Sequence, residues 1–253
     1  MKLSVFASGS SGNCLLLSDH KSHILIDAGI SARRIQNFLL REGLTWRDID
    51  GVLITHEHSD HICGLETLAK RTSVPIYAPH TVGNRLLGRF PTMQDSLRII
   101  PVGEFFSLGT LRVMAFHTPH DTDESVGYRV EGESVFAMAT DMGRVTDEIR
   151  GGLLGADLAL IESNHDLQML RDGPYPFPLK RRILSEHGHL NNADCALLAR
   201  QLAESGTAAI VLGHLSRENN RPEIARQTVA AALEDLQVSL YCAPPEGPLE
   251  LEF

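Results

Sequence analysis

The chain has 253 residues, 43% apolar and 22% charged, proportions ordinary for a globular enzyme and enough chain for one large core. No run approaches the roughly 18 apolar residues of a membrane span, and the short apolar stretch at the N-terminus, interrupted by Ser4, makes a poor signal peptide; a cytoplasmic protein is expected. A net charge of −9 argues against holding nucleic acid mainly by counterion release, without excluding an enzyme that meets phosphate through bound metal ions.

Short apolar runs separated by turn formers predict strands at Leu3–Phe6, Cys14–Leu17 and His23–Ile26, the first two flanking the flexible Ser8-Gly-Ser-Ser-Gly-Asn13 segment. A helix follows, capped by Ser31, with Ile35, Phe38, Leu39 and Leu40 on one face and Gly43 at its end. Val52–Ile54 reads as a buried strand, and residues 62–71 as helical. Further strands are expected at Leu97–Ile100, Thr110–Phe116, Ser125–Val130, Ser134–Met138, Ala159–Ile161 and Ala208–Leu212, and one at the C-terminus. Helices are expected at 179–185, at 191–203 with Asn191 as cap, and at 222–233. The Pro-dense Pro174–Pro178 reads as a surface loop. No linker or short repeat divides the chain, so a single domain over residues 1–253, with helices outside two sheets, is the expected organisation.

The chemistry concentrates in Thr55-His-Glu-His-Ser-Asp-His61. His56, His58, Asp60 and His61 directly follow a buried strand, a rigid support for neutral imidazoles and a carboxylate that ligate divalent ions. Four ligands from one loop do not complete two sites. The others are expected just past other strands: His120 (with His117 as its competitor on local chemistry), Asp141 and His214. Asp27, at the end of Ile24–Ile26, fits the same rule as a ligand or as a carboxylate holding a histidine. The four cysteines are scattered, with no C-x-x-C pair, and read as reduced thiols. Cys63 reads as a small packing residue, with ligation as the alternative.

This H-x-H-x-D-H run, preceded by a strand-end Asp and followed by a separate His, Asp and His, resembles the metallo-β-lactamase superfamily. The resemblance implies an α/β fold, the four-layer αββα sandwich. It implies His56, His58 and His120 as one metal site, Asp60, His61 and His214 as the other, Asp141 bridging both, and Asp27 in support. It also selects His120 over His117, because His120 precedes Gly127-Tyr128 as in phosphodiesterase members. His61 stands where true β-lactamases usually carry Arg or Cys. Only 73 positions separate Asp141 from His214, too few for the inserted domain of the β-CASP nucleases. No counterpart of the tRNA-gripping arm of ribonuclease Z is found, although Glu162 and His189 have possible counterparts in its signature. Ala7–Asn13, Thr55–His61, Glu162–Asp166, Lys180–Leu184 and His214–Asn220 are most similar to the small bacterial YycJ (WalJ) branch.

That similarity implies a binuclear-metal phosphodiesterase, a 5′-to-3′ exonuclease on DNA rather than RNA, with a role in mismatch repair. Zn²⁺, Mn²⁺ or Fe²⁺ suits the mixed ligands. Two-metal hydrolysis by a bridging hydroxide is the expected mechanism. Asp60 would orient the nucleophile and His189, held by Glu162, would protonate the leaving group. Ser216, Arg217 and Asn220 would contact substrate, and Lys180-Arg-Arg182 would follow a nucleic-acid backbone. The alternative is a thioester or lactone hydrolase of the glyoxalase II type, since one fold hosts many reactions.

Overall fold

The computed structural model describes residues 1–253. Strands β1 (Lys2–Ala7), β2 (Cys14–Ser18), β3 (His23–Ile26), β4 (Gly51–Leu53), β5 (Ile76–Ala78) and β6 (Leu97–Ile99) lie side by side in one sheet. The next seven, β7 (Phe105–Leu108), β8 (Leu111–His117), β9 (Val126–Glu131), β10 (Val135–Ala139), β11 (Leu158–Glu162), β12 (Ala209–Gly213) and β13 (Ser239–Cys242), form the second sheet in sequence order. The last strand, β14 (Leu249–Glu252), returns to the first sheet antiparallel to β1, with Leu3 opposite Leu251.

Alternation along the strands assigns the layers. Ile24, Ile26 and Leu53 point between the sheets and meet Val113, Tyr128, Phe136, Leu160 and Val211 from the second sheet. Leu25, Val52 and Ile54 point outward, against α1 (Ala32–Arg41), α2 (Ser59–Ile62), α3 (Leu65–Arg71) and α4 (His80–Arg89). On the opposite outer face, Ala137, Ala139, Ala159, Ile161, Ile210 and Leu212 pack under α5 (Asp147–Leu153) and, past α6 (Leu167–Asp172) and α7 (Phe177–Ile183), under α8 (Asn192–Glu204) and α9 (Pro222–Ala232). The central strands are thus buried on both faces, which is why they read as unbroken apolar runs. Each buried Val, Leu, Ile or Phe among them contributes roughly 1.5–3 kcal/mol. The result is the four-layer αββα sandwich.

Several expectations shift in detail. Leu40 is 56% exposed, so the buried face of α1 is Ala32, Ile35 and Leu39. The helix expected over 62–71 is two: α2 starts earlier, at Ser59, and α3 follows Cys63 and Gly64. The Pro-dense loop yields to α7 at Phe177, because proline is tolerated in a first helical turn. The C-terminal strand is two, one in each sheet.

Candidate metal centre

Topology gathers the site. β3 and β4 are parallel, and so are β10, β11 and β12. β8 runs antiparallel to β9, and β9 antiparallel to β10, so β8 shares the direction of β10. The C-terminal ends of these strands therefore open on one edge, delivering Asp27, His56, His120, Asp141, Glu162 and His214. Three non-glycine residues have a left-handed backbone: Asp27 (φ 61), Asp141 (φ 55) and His214 (φ 54). All three are at this edge, where a reversed turn aims the side chain back over the sheet at a cost of about 1–3 kcal/mol each.

Local contacts hold these turns. Asp27 donates its N–H to the Leu53 carbonyl (2.8 Å). Its carboxylate accepts from the Thr55 N–H (2.9 Å) and lies 2.7 Å from His61 Nδ1. Gly29 lets the preceding loop close on α2, because a Cβ there would lie 1.7 Å from the Asp60 carbonyl oxygen. The His214 N–H donates to Ser8 Oγ (2.8 Å), and Asn164 Nδ2 donates to the His214 carbonyl (3.0 Å).

The donor atoms fall into overlapping sets, each within 4.8 Å: His56, His58 and His120; His56, His61 and Asp141; Asp60, His61 and His214; Asp141, Glu162, His189 and His214. Asp141 lies between the first and third of these. Its Oδ1 is 3.7 Å from His120 Nε2, and its Oδ2 is 3.4 Å from His61 Nε2. Asp60 Oδ2 is 3.6 Å from both His61 Nε2 and His214 Nε2. His56 Nε2, Asp141 Oδ2 and His214 Nε2 are buried with no hydrogen-bond partner in the protein. Buried polar atoms are rarely left so, and three converging ones fit a pair of divalent ions, with His56, His58, Asp60, His61, His120, Asp141 and His214 as candidate ligands.

The electrostatics agree. Burial, then the neighbouring His61, pushes His56 well below the ordinary imidazole range, and burial also lowers His120, so both stay neutral as ligation requires. Burial opposes charge on His61 too, but the Asp27 and Asp141 carboxylates outweigh it and raise the group to about 10. His214 is likewise raised against burial, by Asp141, Asp60 and Glu162. Asp141 is held well below the carboxylate range despite burial, by His214 and His61. The carboxylates thus demand positive charge at His61 and His214, which protons meet in the metal-free protein and divalent ions would meet in the loaded one.

Glu162, fully buried at the end of β11, is an acceptor for four donors. Its Oε1 lies 2.8 Å from His189 Nδ1 and 2.9 Å from His214 Nδ1, and its Oε2 accepts the N–H groups of Met142 (2.9 Å) and Leu190 (3.1 Å). Burial opposes the charge on Glu162, but His189 and His214 prevail and hold it down at about 2. Against its own burial, His189 is raised by Glu162. The imidazole of His189 remains partly open to solvent beside the cluster.

The other predicted residues sit apart. His117 is exposed and pairs with Glu148 (3.0 Å). Cys63 is exposed and packs no core. Arg217 lies on the surface 3.7 Å from Glu246. Ser216 Oγ accepts from the Asn219 N–H (3.2 Å). Asn220 is buried, with its amide committed to Ser163, Asn164 and Asn192, so the expected substrate contact is replaced by a hold on the loop after His214. Lys180 Nζ donates to the Arg171 carbonyl (2.7 Å), and Arg182 pairs with Asp121. Sequence reasoning missed Asp121, whose Oδ1 is buried, unpartnered and 3.3 Å from His120 Nε2. Asn13 was missed as well; its Nδ2 is 3.1 Å from His61 Nε2. The acid adjoining His120 and the polar turn at 8–13 were the available signals.

Residues 22–215 match the family model described as "Beta-lactamase superfamily domain". The chain is 40% identical to exodeoxyribonuclease YycJ of Bacillus anthracis over 93% of its length and 90% of the relative's. It is 38% identical to exodeoxyribonuclease WalJ of Streptococcus pneumoniae, over 92% and 88%. The metallo-β-lactamase fold protein YhfI of Bacillus subtilis superposes with a TM-score of 0.75 at 16% identity, covering 99% of both chains. The chain belongs to the metallo-β-lactamase superfamily and is a metal-dependent hydrolase.

Proposed function

We propose that the protein is a phosphodiesterase that degrades DNA from a 5′ end, in the cytoplasm and with a role in DNA repair. The observation that carries the reading is its similarity to YycJ across nine-tenths of both chains. The Glu162–His189 pair supports it, because departure of a sugar alkoxide, unlike that of a thiolate, needs a strong proton donor.

His56, His58 and His120 would hold one divalent ion, and Asp60, His61 and His214 the other, with Asp141 shared. Bound there, the ions would supply positive charge to the phosphoryl oxygens and acidify water. Asp60, the partly exposed carboxylate of the set, orients the attacking water and draws on its proton. Glu162 accepts from Nδ1–H of His189, so the imidazolium presents Nε2–H to the departing oxygen. The phosphorus–oxygen bond breaks as that proton transfers. Asp27 fixes the ring of His61 from behind, and Asn220, Asn192 and Ser163 brace the turn that carries His214.

The test is a parallel assay of the protein loaded with Mn²⁺ or Zn²⁺, offered 5′-phosphorylated single-stranded DNA, RNA, an aryl phosphodiester and a thioester. DNA shortened from its 5′ end is the expected outcome. Thioester turnover without phosphodiester cleavage would replace this reading with the small-molecule hydrolase.

A further inference from the structure

Beside the metal cluster, α1, the α2–α3 segment and the turn at Trp46 enclose an open groove of about 790 Å³. Arg33 and Gln36 line one bank, Cys63, Thr67 and Arg71 the other, and Trp46, the chain's only tryptophan, lies among them. The lining contains no acidic side chain, although the chain carries a net charge of −9. The neighbouring ion pairs, Lys70 with Glu66 and Arg34 with Glu246, leave Arg33 and Arg71 out, and both of these arginines are exposed.

The groove begins beside the candidate active site, because Cys63 and Gly64, which line it, directly follow α2, the helix that carries Asp60. Cys63 and Gly64 keep right-handed helical backbone angles between α2 and α3. The helix breaks there, since the Gly64 N–H donates to the Ala28 carbonyl (2.8 Å), and beyond it Thr67 and Arg71 are one turn apart on α3. Asp60 on α2 reaches into the metal cluster, and Cys63, Thr67 and Arg71 line the groove. At 1.5 Å per residue α3 carries this bank of the groove over about 10 Å, ending at Arg71.

We propose that this groove carries the part of a single-stranded nucleic acid that runs on from the scissile phosphodiester. Arg33 and Arg71 meet its phosphates, and Trp46 offers a face to a base. The proposal rests on the nuclease reading above. An acidic protein that keeps one acid-free channel with two unpaired guanidinium groups, leading away from a phosphodiester site, has placed its cations where a polyanion passes.

The experiment uses the metal-loaded full chain and a single-stranded oligodeoxynucleotide with a cleavage-resistant phosphorothioate 5′ end. Binding is followed by anisotropy across a salt series, and alkylation of Cys63 by iodoacetamide is followed by mass spectrometry. Oligonucleotide should slow alkylation of Cys63. The Arg33→Gln/Arg71→Gln variant should bind roughly tenfold more weakly, as for two screened ion pairs. Its salt slope should fall by about 1.4, as for two phosphates on a single strand. Arg33→Lys/Arg71→Lys should retain the slope, and aryl phosphodiester turnover should be unchanged in both variants. No binding by the parent protein, binding without protection of Cys63, or an unaltered slope in the Gln variant would each overturn the groove. Failure of the nuclease reading shows separately, as binding of this oligodeoxynucleotide without cleavage of its unmodified counterpart.

Discussion

Replacing Glu162 with Gln changes no volume but makes the hydrogen bonding at its position unsatisfiable. The carboxylate takes four donors: two imidazole Nδ1 atoms on one oxygen and the backbone N–H groups of Met142 and Leu190 on the other. An amide is half donor. If its oxygen faces the imidazoles, its NH₂ opposes two backbone N–H groups. If it is flipped, the NH₂ opposes both imidazoles and displaces the protons that hold their orientation. Either way two buried donors lose an acceptor, at about 1–3 kcal/mol each, so the metal-free variant should be less stable by about 2–6 kcal/mol. The lost charge adds a pH signature. Glu162 is held at about 2 against an ordinary 4.5, worth about 3 kcal/mol in the metal-free protein. A depressed carboxylate stabilises fully above pH 4.5, and that stability is lost as the pH falls toward 2. Glu162→Gln should remove that contribution to the acid limb. Urea unfolding of both metal-free proteins between pH 2 and 7 measures both effects. A variant within about 0.5 kcal/mol of the parent at pH 7, with the same acid limb, would refute the four-donor reasoning.

His189→Ala should lower kcat on DNA by about 10²–10⁴-fold, yet leave turnover of an aryl phosphodiester with a nitrophenolate leaving group nearly intact, because that group departs without a proton. Equal losses on both substrates would remove His189 from the acid role. Asp60→Ala and His120→Ala should each abolish hydrolysis, whereas His117→Ala, altering an exposed residue paired with Glu148, should not change kcat; steady-state assays decide. Loading the metal-free protein at pH 7 should release protons, since His61 (about 10) and His214 are both raised and must be neutral as ligands. Affinity should rise with pH, and calorimetric enthalpy should vary with the buffer's ionisation enthalpy; buffer-independent heats would count against it.

Much of the candidate site was readable in sequence because its candidate ligands follow strand ends, and buried strands announce themselves as apolar runs. The H-x-H-x-D-H spacing put four of the seven candidate donors in one short segment. The supports were not readable, because they are distant: the contact between Ser8 Oγ and the His214 N–H spans 206 residues. Asn220 suggested a substrate contact because it is polar and near His214, and only the fold shows it turned inward against Asn192. Missed elements were those with weak patterns. β5 is three residues between Pro75 and Pro79. α5 contains Gly151 and Gly152, poor helix formers, yet a Cβ at Gly152 would meet the Phe116 ring at 2.3 Å. In that case packing overrode propensity.

Two ions held by one strand-end cluster is the central claim, and anomalous scattering from crystals of the Mn²⁺- or Zn²⁺-loaded protein tests it most directly. Two peaks are predicted, one among His56, His58 and His120, the other among Asp60, His61 and His214, with Asp141 between them. A single peak, or peaks away from these side chains, would contradict it.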